Sequence, residues 1–440
     1  MMRRNAVGLV ARQAWRSWAP GWRTLSSWTD QAGEADAQLS SLQEVSTAGD
    51  LAAQGRRSEA APLLERAVEI CSGSMGEDSA LTRAALHRLA LLLYDDQRFG
   101  SAEAALTRGA FNSVDASPRE LLLLSKTQLF QGKVSLAVDS CDRAVDLCQQ
   151  DEDSTPDTDA LGKALRQLGA IQLLDRQDDD AETSLLRAAR LGSTSADQGK
   201  GLAALATFNI ARGDEQSVEE AVDLLNEACA TTKEVDGGEN AGMDGKKGEE
   251  GRGSGESGGG GSPAAAASAN AIGLARASVL CTAAQGELLL GRGTATASER
   301  LGEALKIRGK LLPVGHPATA WTLCLLARCH LAAGEAVTAE GLFRAALDGM
   351  QGIAEEADGD NAMSQRPMGA VAPAILFASP LHPYSKAAML RGYSELLLQW
   401  EKREAEGEII ERQGHAAESS LVVKPPEGVT LHMLHLDETY

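Results

Sequence analysis

The chain has 440 residues, more than one compact core usually organises, and only 4% are aromatic, so several domains or a repeat array is expected and strand formers are scarce. Its formal charge is −20 at pH 7, and the first 29 residues, with five Arg and no acid, leave the remainder more acidic still. Such a body repels phosphate backbones and makes nucleic acid a poor partner.

The chain opens with Arg3, Arg4, Arg12, Arg16 and Arg23 interleaved with Val7, Leu9, Val10, Trp15 and Trp18, and reaches its first acid at Asp30. An Arg-rich, acid-free amphipathic stretch has the composition of an organelle presequence, whereas a secretory signal needs an uninterrupted apolar core. Residues 1–35 are therefore expected to be a disordered targeting leader, mitochondrial in preference to plastid. Arg23-Thr-Leu-Ser-Ser resembles a processing site.

Beyond the leader, one helical face recurs as a small, a large and a small residue at i, i+4 and i+7. The copies are Ala60, Leu64, Ala67; Ala102, Leu106, Gly109; Ala137, Cys141, Ala144; Ala181, Leu185, Ala188; and Ala221, Leu225, Ala228. Three more follow: Ala297, Leu301, Ala304; Ala339, Phe343, Ala346; and a degraded Ala405, Ile409, Arg412. Small residues on either flank of a large one let a neighbouring helix come close to the backbone. An apolar helix precedes each triplet, as with Leu86, Leu89, Ala90 and Leu93, and Gly turns such as Gly132-Lys133 and Gly334-Glu335 separate the two. Each unit cannot bury its apolar face alone, so the units must stack.

Residues 40–235 thus predict a block of five units, and residues 263–418 a block of three. Between them, residues 236–262 are rich in Gly and acid, with no apolar residue beyond Met243, and predict a flexible linker. A loop insert is expected at about 351–380, with the apolar patch Val371 to Phe377 folding back on the array. Residues 419–440 read as a C-terminal extension. No run approaches 18 apolar residues, so a peripheral but not a spanning membrane association fits the sequence.

Ala60-Ala-Pro-Leu-Leu-Glu-Arg-Ala, the Gly315-His-Pro-Ala-Thr-Ala turn and its echo Leu381-His-Pro-Tyr-Ser-Lys resemble the longer tetratricopeptide repeat (TPR) subclass of kinesin light chains, over about Leu42 to Gln413. The Trp and Tyr usual in the first helix of that family are mostly missing. The resemblance implies an all-α, TPR-like α-solenoid, a right-handed superhelix of about eight helix–turn–helix units. Its concave side, lined by first helices, would bind partner peptides or helices. With the leader, it also resembles mitochondrial TPR assembly factors, including the kind that supports respiratory complex III maturation. The competing readings are an organellar RNA-processing repeat protein, which the acidity opposes, and a cytosolic kinesin-light-chain-like cargo adaptor, which would need a heptad coiled coil ahead of the repeats.

No catalytic, cofactor-binding or metal-ligating residue is assigned. Gly251-Arg-Gly-Ser-Gly lacks the strand that a phosphate loop requires, Gly245-Lys246-Lys247 lacks the Walker Gly and Ser/Thr, and His432 and His435 have no further ligand nearby. No Gly-x-Ser-x-Gly elbow occurs, and acidic runs such as Asp178-Asp179-Asp180 read as helix starts. The seven Cys form no Cys-x-x-Cys pair and read as reduced core thiols, with Cys141, Cys281 and Cys324 on apolar faces. Counting from the marker alanines, Arg119, Lys126, Lys163 and Arg166 fall on groove-facing positions of the third and fourth first helices. Together they predict a cationic seat for an acidic peptide or helix, against the simpler reading of cations paired with nearby acids such as Glu120.

Overall fold

A computed structural model describes residues 35, 37–53, 56–111, 116–149, 158–192, 194–238, 263–291, 293–312, 316–355 and 383–419. They contain helices and no strand. In chain order the helices are α1 (Gln43–Ala53), α2 (Arg57–Met75), α3 (Ala80–Asp95), α4 (Phe99–Phe111), α5 (Pro118–Phe130), α6 (Val134–Gln149), α7 (Thr158–Leu174) and α8 (Asp178–Leu191). They continue as α9 (Ser195–Arg212), α10 (Glu215–Gly238), α11 (Pro263–Leu289), α12 (Thr294–Leu311), α13 (Pro317–Ala332), α14 (Ala336–Glu355), α15 (Pro383–Leu398) and α16 (Glu404–Ser419). All but the last residue of the predicted leader, most of the linker, the patch 371–377 and all but the first residue of the tail lie outside the described residues. Predicted boundaries move where α10 runs through Gly238, α14 through Glu355 and α16 through Ser419, reaching past the expected starts at 236, about 351 and 419.

Local chemistry sets the helix ends. α5 starts in a capping box: the Glu120 backbone N–H donates to the Ser117 hydroxyl, and the Ser117 N–H donates to the Glu120 carboxylate. In the Gly-His-Pro motif, His316 caps α13 by accepting from Ala318 N–H at 3.1 Å, and Pro317 takes the first helical position. Several pairs close on a turn that holds a left-handed residue. Gly132 (φ 76°) and Gly334 (φ 81°) fill that place without strain, whereas Gln97 (φ 59°) and Arg176 (φ 61°) fill it despite carrying a Cβ.

Each odd-numbered helix packs on the even-numbered helix that follows, and each pair packs on the next. Contacts of substance stay within two places along the chain, which is the one-dimensional pattern of a solenoid. Successive odd-numbered helices from α3 to α15 also touch one another, while even-numbered helices make no comparable contact among themselves. The stack is tighter on its odd side, so that side is concave.

The marker triplets are the seams of the stack. From Ala60 to Ala339 their first members are fully buried, and Leu185, Leu225 and Leu301 are among the largest wholly enclosed side chains. The reason is visible at α7 and α8, where a Cβ on Gly169 would lie 2.6 Å from Leu185 Cγ and 3.2 Å from the Ala181 carbonyl oxygen. The large marker of one helix rests on a bare backbone of its partner.

The last triplet is corrected by the structure. Ala405, Ile409 and Arg412 are exposed, and α16 instead buries Gly407 and Gly414. A Cβ on Gly407 would meet Leu398 and one on Gly414 would meet Leu390, so leucines of α15 supply the bulk that α16 lacks.

The two predicted blocks are in direct contact. α11 packs on both α9 and α10, and Val279 and Ala283 of α11 complete the core of the first block. Cys229 on α10 touches both cores. Arg300 on α12 donates to Asn226 of α10 at 2.7 Å and pairs with Glu287 of α11 at 3.1 Å, tying three helices across the junction.

Candidate protein-binding groove

The predicted cations lie on inner helices for a simple reason. Arg119 and Lys126 are seven residues apart on α5, and Lys163 and Arg166 are three apart on α7, so each pair shares one helical face. Stacking α5, α7 and α9 brings these faces together around Lys163, which lies within electrostatic reach of Lys126, Lys200, Arg166 and Arg119.

Lys163 is exposed on α7, while protein packed around it partly dehydrates its ammonium group. That desolvation is the main cause that pushes its pKa down to about 7, and the four neighbouring cations push the same way. His87, on α3, is buried and drops to about 3, first by desolvation and then through Arg119, Lys163 and Arg88.

The four predicted residues differ in what they offer a ligand. Arg119 is exposed at the start of α5, and Lys163 is exposed on α7. Lys126 is only 7% exposed, so it sets the local potential more than it touches solvent. Arg166 is committed to Asp197 of α9, donating to its carboxylate at 3.2 Å and its carbonyl oxygen at 3.3 Å. Asp197 also accepts from Thr194, the N-cap of α9. Glu120, the acid expected to neutralise this region, is used at the cap of α5. Lys200, His87 and Arg88 were missed by sequence reasoning. Lys200 comes from a Gly-rich stretch of α9 with little apolar pattern, and only stacking brings α3 close to α5 and α7.

The resulting stretch is a positive strip inside a strongly acidic protein. It suits carboxylates, which gain charge-assisted hydrogen bonds there and meet repulsion over the rest of the chain. The thiols are chemically quiet by contrast: Cys141 and Cys324 are fully enclosed, and burial raises each to about 12. Among the described residues no group of three or more His, Cys, Asp or Glu is arranged to hold a metal ion, and no helix is long and apolar enough to cross a membrane.

No protein-family model matches the chain, and no curated protein does. Solved structures do. A tetratricopeptide repeat protein from Parabacteroides merdae is 15% identical, covers 73% of this chain and 97% of its own, with a TM-score of 0.39. BtubC (BKLC) from P. vanneervenii is 17% identical, covers 71% of this chain and 99% of its own, with a TM-score of 0.36. The nearly identical TPR-like repeats of a kinesin-light-chain-type protein from Podosopora anserina are 18% identical and cover 56% of this chain and 99% of their own, with a TM-score of 0.34.

Proposed function

We propose that this protein is a non-catalytic scaffold or assembly factor that holds an acidic peptide or helix of a partner protein in its concave groove. The observation that carries the reading is the convergence of Arg119, Lys126, Lys163, Arg166 and Lys200, from three successive inner helices, in a chain of net charge −20. The Arg-rich, acid-free start of the sequence supports a mitochondrial site of action. The resemblance to mitochondrial TPR assembly factors supports a role in respiratory-complex assembly, with complex III maturation as the specific expectation.

Arg119 and Lys163 are the two predicted cations with solvent access, so they are the ones to reverse. Fluorescein-labelled hexaglutamate should bind the full chain with an affinity that falls as salt is raised. Arg119→Glu with Lys163→Glu should weaken it by about tenfold or more, which corresponds to about 1.4 kcal/mol. Equal binding by the double variant removes the groove from the proposal. Imaging a C-terminally tagged chain tests the compartment.

A further inference from the structure

Three contacts fix where Lys163 stands. Gln167, one turn further along α7, donates to the Leu122 carbonyl oxygen of α5 at 2.7 Å and also to the Ser125 hydroxyl. Arg166 donates to the Asp197 carboxylate of α9 at 3.2 Å. Alternate helices of the stack run in the same direction, so the turn before Gln167 lies level with the turn before Leu122, which holds Arg119. Lys163 is thus set beside Arg119, between α5 and α9, and both side chains are exposed. Lys126 of α5 and Lys200 of α9 lie within electrostatic reach as well. Of the acids on these turns, Glu120 is held at the cap of α5 and Asp197 by Arg166, and Asp159 stands one turn before Lys163 on α7.

The arrangement has two chemical effects. A small molecule that bears phosphate is drawn to the cluster, because cations from three helices act on it together. Partial dehydration, and after it the same cations, disfavours a positive charge on Lys163 and brings its pKa to about 7. About half of Lys163 is then neutral amine at pH 7, against about one part in 2,500 for an ordinary lysine. An amine made neutral in this way is an activated nucleophile.

We propose that Lys163 is a modification site, acylated by small acyl donors whose leaving group carries phosphate, as in acyl phosphates and acyl-coenzyme A thioesters. The neutral amine attacks the acyl carbonyl carbon and a C–N bond forms. The C–O or C–S bond to the leaving group breaks, the leaving group departs with that electron pair, and the amine gives up one proton to solvent. The resulting amide is uncharged, so the reaction takes one cation out of the cluster. This chemistry requires no peptide ligand and stands apart from the groove reading above.

The test incubates the full chain separately with acetyl phosphate, acetyl-coenzyme A and uncharged p-nitrophenyl acetate, and follows acetylation of each lysine by mass spectrometry. At pH 7.5 at least one phosphate-bearing donor should label Lys163 about tenfold or more faster than the exposed Lys306 and Lys310 of α12, and which donor does so identifies the source. With p-nitrophenyl acetate the preference should persist but be smaller, because nucleophilicity alone then favours Lys163. The rate at Lys163 should level off above about pH 8, where an ordinary lysine goes on rising about tenfold per unit. Arg119→Gln with Lys200→Gln should move the midpoint of that profile up by about half a pH unit or more. No preference for Lys163 with either phosphate-bearing donor overturns the proposal. So does a rate at Lys163 that still climbs tenfold between pH 8 and 9, or a midpoint that the double variant leaves unmoved. An equal preference with p-nitrophenyl acetate overturns the donor class.

Discussion

Gly201 on α9 is the sharpest probe of how closely the helices approach. A Cβ there would lie 2.8 Å from Ala189 Cα, 3.0 Å from Ala189 N and 3.1 Å from the Ala188 carbonyl oxygen, all backbone atoms of α8. Side chains can rotate out of the way, but this backbone can yield only by shifting the whole helix. Overpacking of this kind costs about 1–3 kcal/mol, and the helix propensity that alanine gains over glycine returns about 1 kcal/mol. Gly201→Ala should therefore lower stability by up to about 2 kcal/mol. Gly302 on α12 is the control, since no atom lies within 4 Å of its added Cβ, and Gly302→Ala should raise stability by about 0.5–1 kcal/mol. Urea unfolding of the wild type and both variants, followed by circular dichroism, reads the two opposite shifts of midpoint. Should Gly201→Ala prove as stable as Gly302→Ala, close approach of α8 and α9 is wrong.

Other expectations concern turns, titration and the junction. Arg176→Gly should stabilise the turn between α7 and α8 by up to about 1 kcal/mol by relieving its left-handed backbone, while Gly334→Ala should destabilise its own turn by a similar amount; thermal midpoints compare the two. His87 and His316 titrate near 3 and 4 in the folded chain, below their ordinary 6.5, so the unfolded state binds more protons between those values. Stability should fall as pH drops below about 6.5, by up to about 1.4 kcal/mol per pH unit for each ring, and His87→Phe should make the decline shallower in denaturation series. Lys163, depressed from 10.5 to about 7, acts in the same direction at higher pH, favouring the folded state as pH rises above 7. At the junction, Arg300→Met leaves the poorly exposed Glu287 without its pair and should cost about 3 kcal/mol, with Glu287→Gln in the same chain recovering most of it in urea titrations.

Much of the stack was legible because its packing rule is local. A small residue every seventh position, such as Ala137 and Ala144 around Cys141, is required by close helices wherever they stand in the array. The rule failed at α16, where Glu411 occupies the place of the large residue and Leu398 and Leu390 of the neighbouring helix provide the bulk. Sequence spacing within one helix cannot reveal a gap filled from another. Buried polar ties were illegible for the same reason: Ser140 donates to Gln128 and Ser184 donates to Gln172, pairing α6 with α5 and α8 with α7. In the groove, the faces holding Arg119, Lys126, Lys163 and Arg166 followed from helical periodicity. Their unequal exposure did not, because it depends on Asp197 reaching back from α9 and on how deeply α5 is covered.

The junction between α10 and α11 bears on how such a protein tolerates change. The two helices rest against each other with Arg300 bridging them, so the polypeptide that joins Gly238 to Pro263 spans ends already fixed by other contacts. Its length and composition are then decoupled from the pitch of the array. Residues can accumulate or vanish there over evolutionary time, or a tag be placed there by an experimenter, with the register of every helix before and after left as it was.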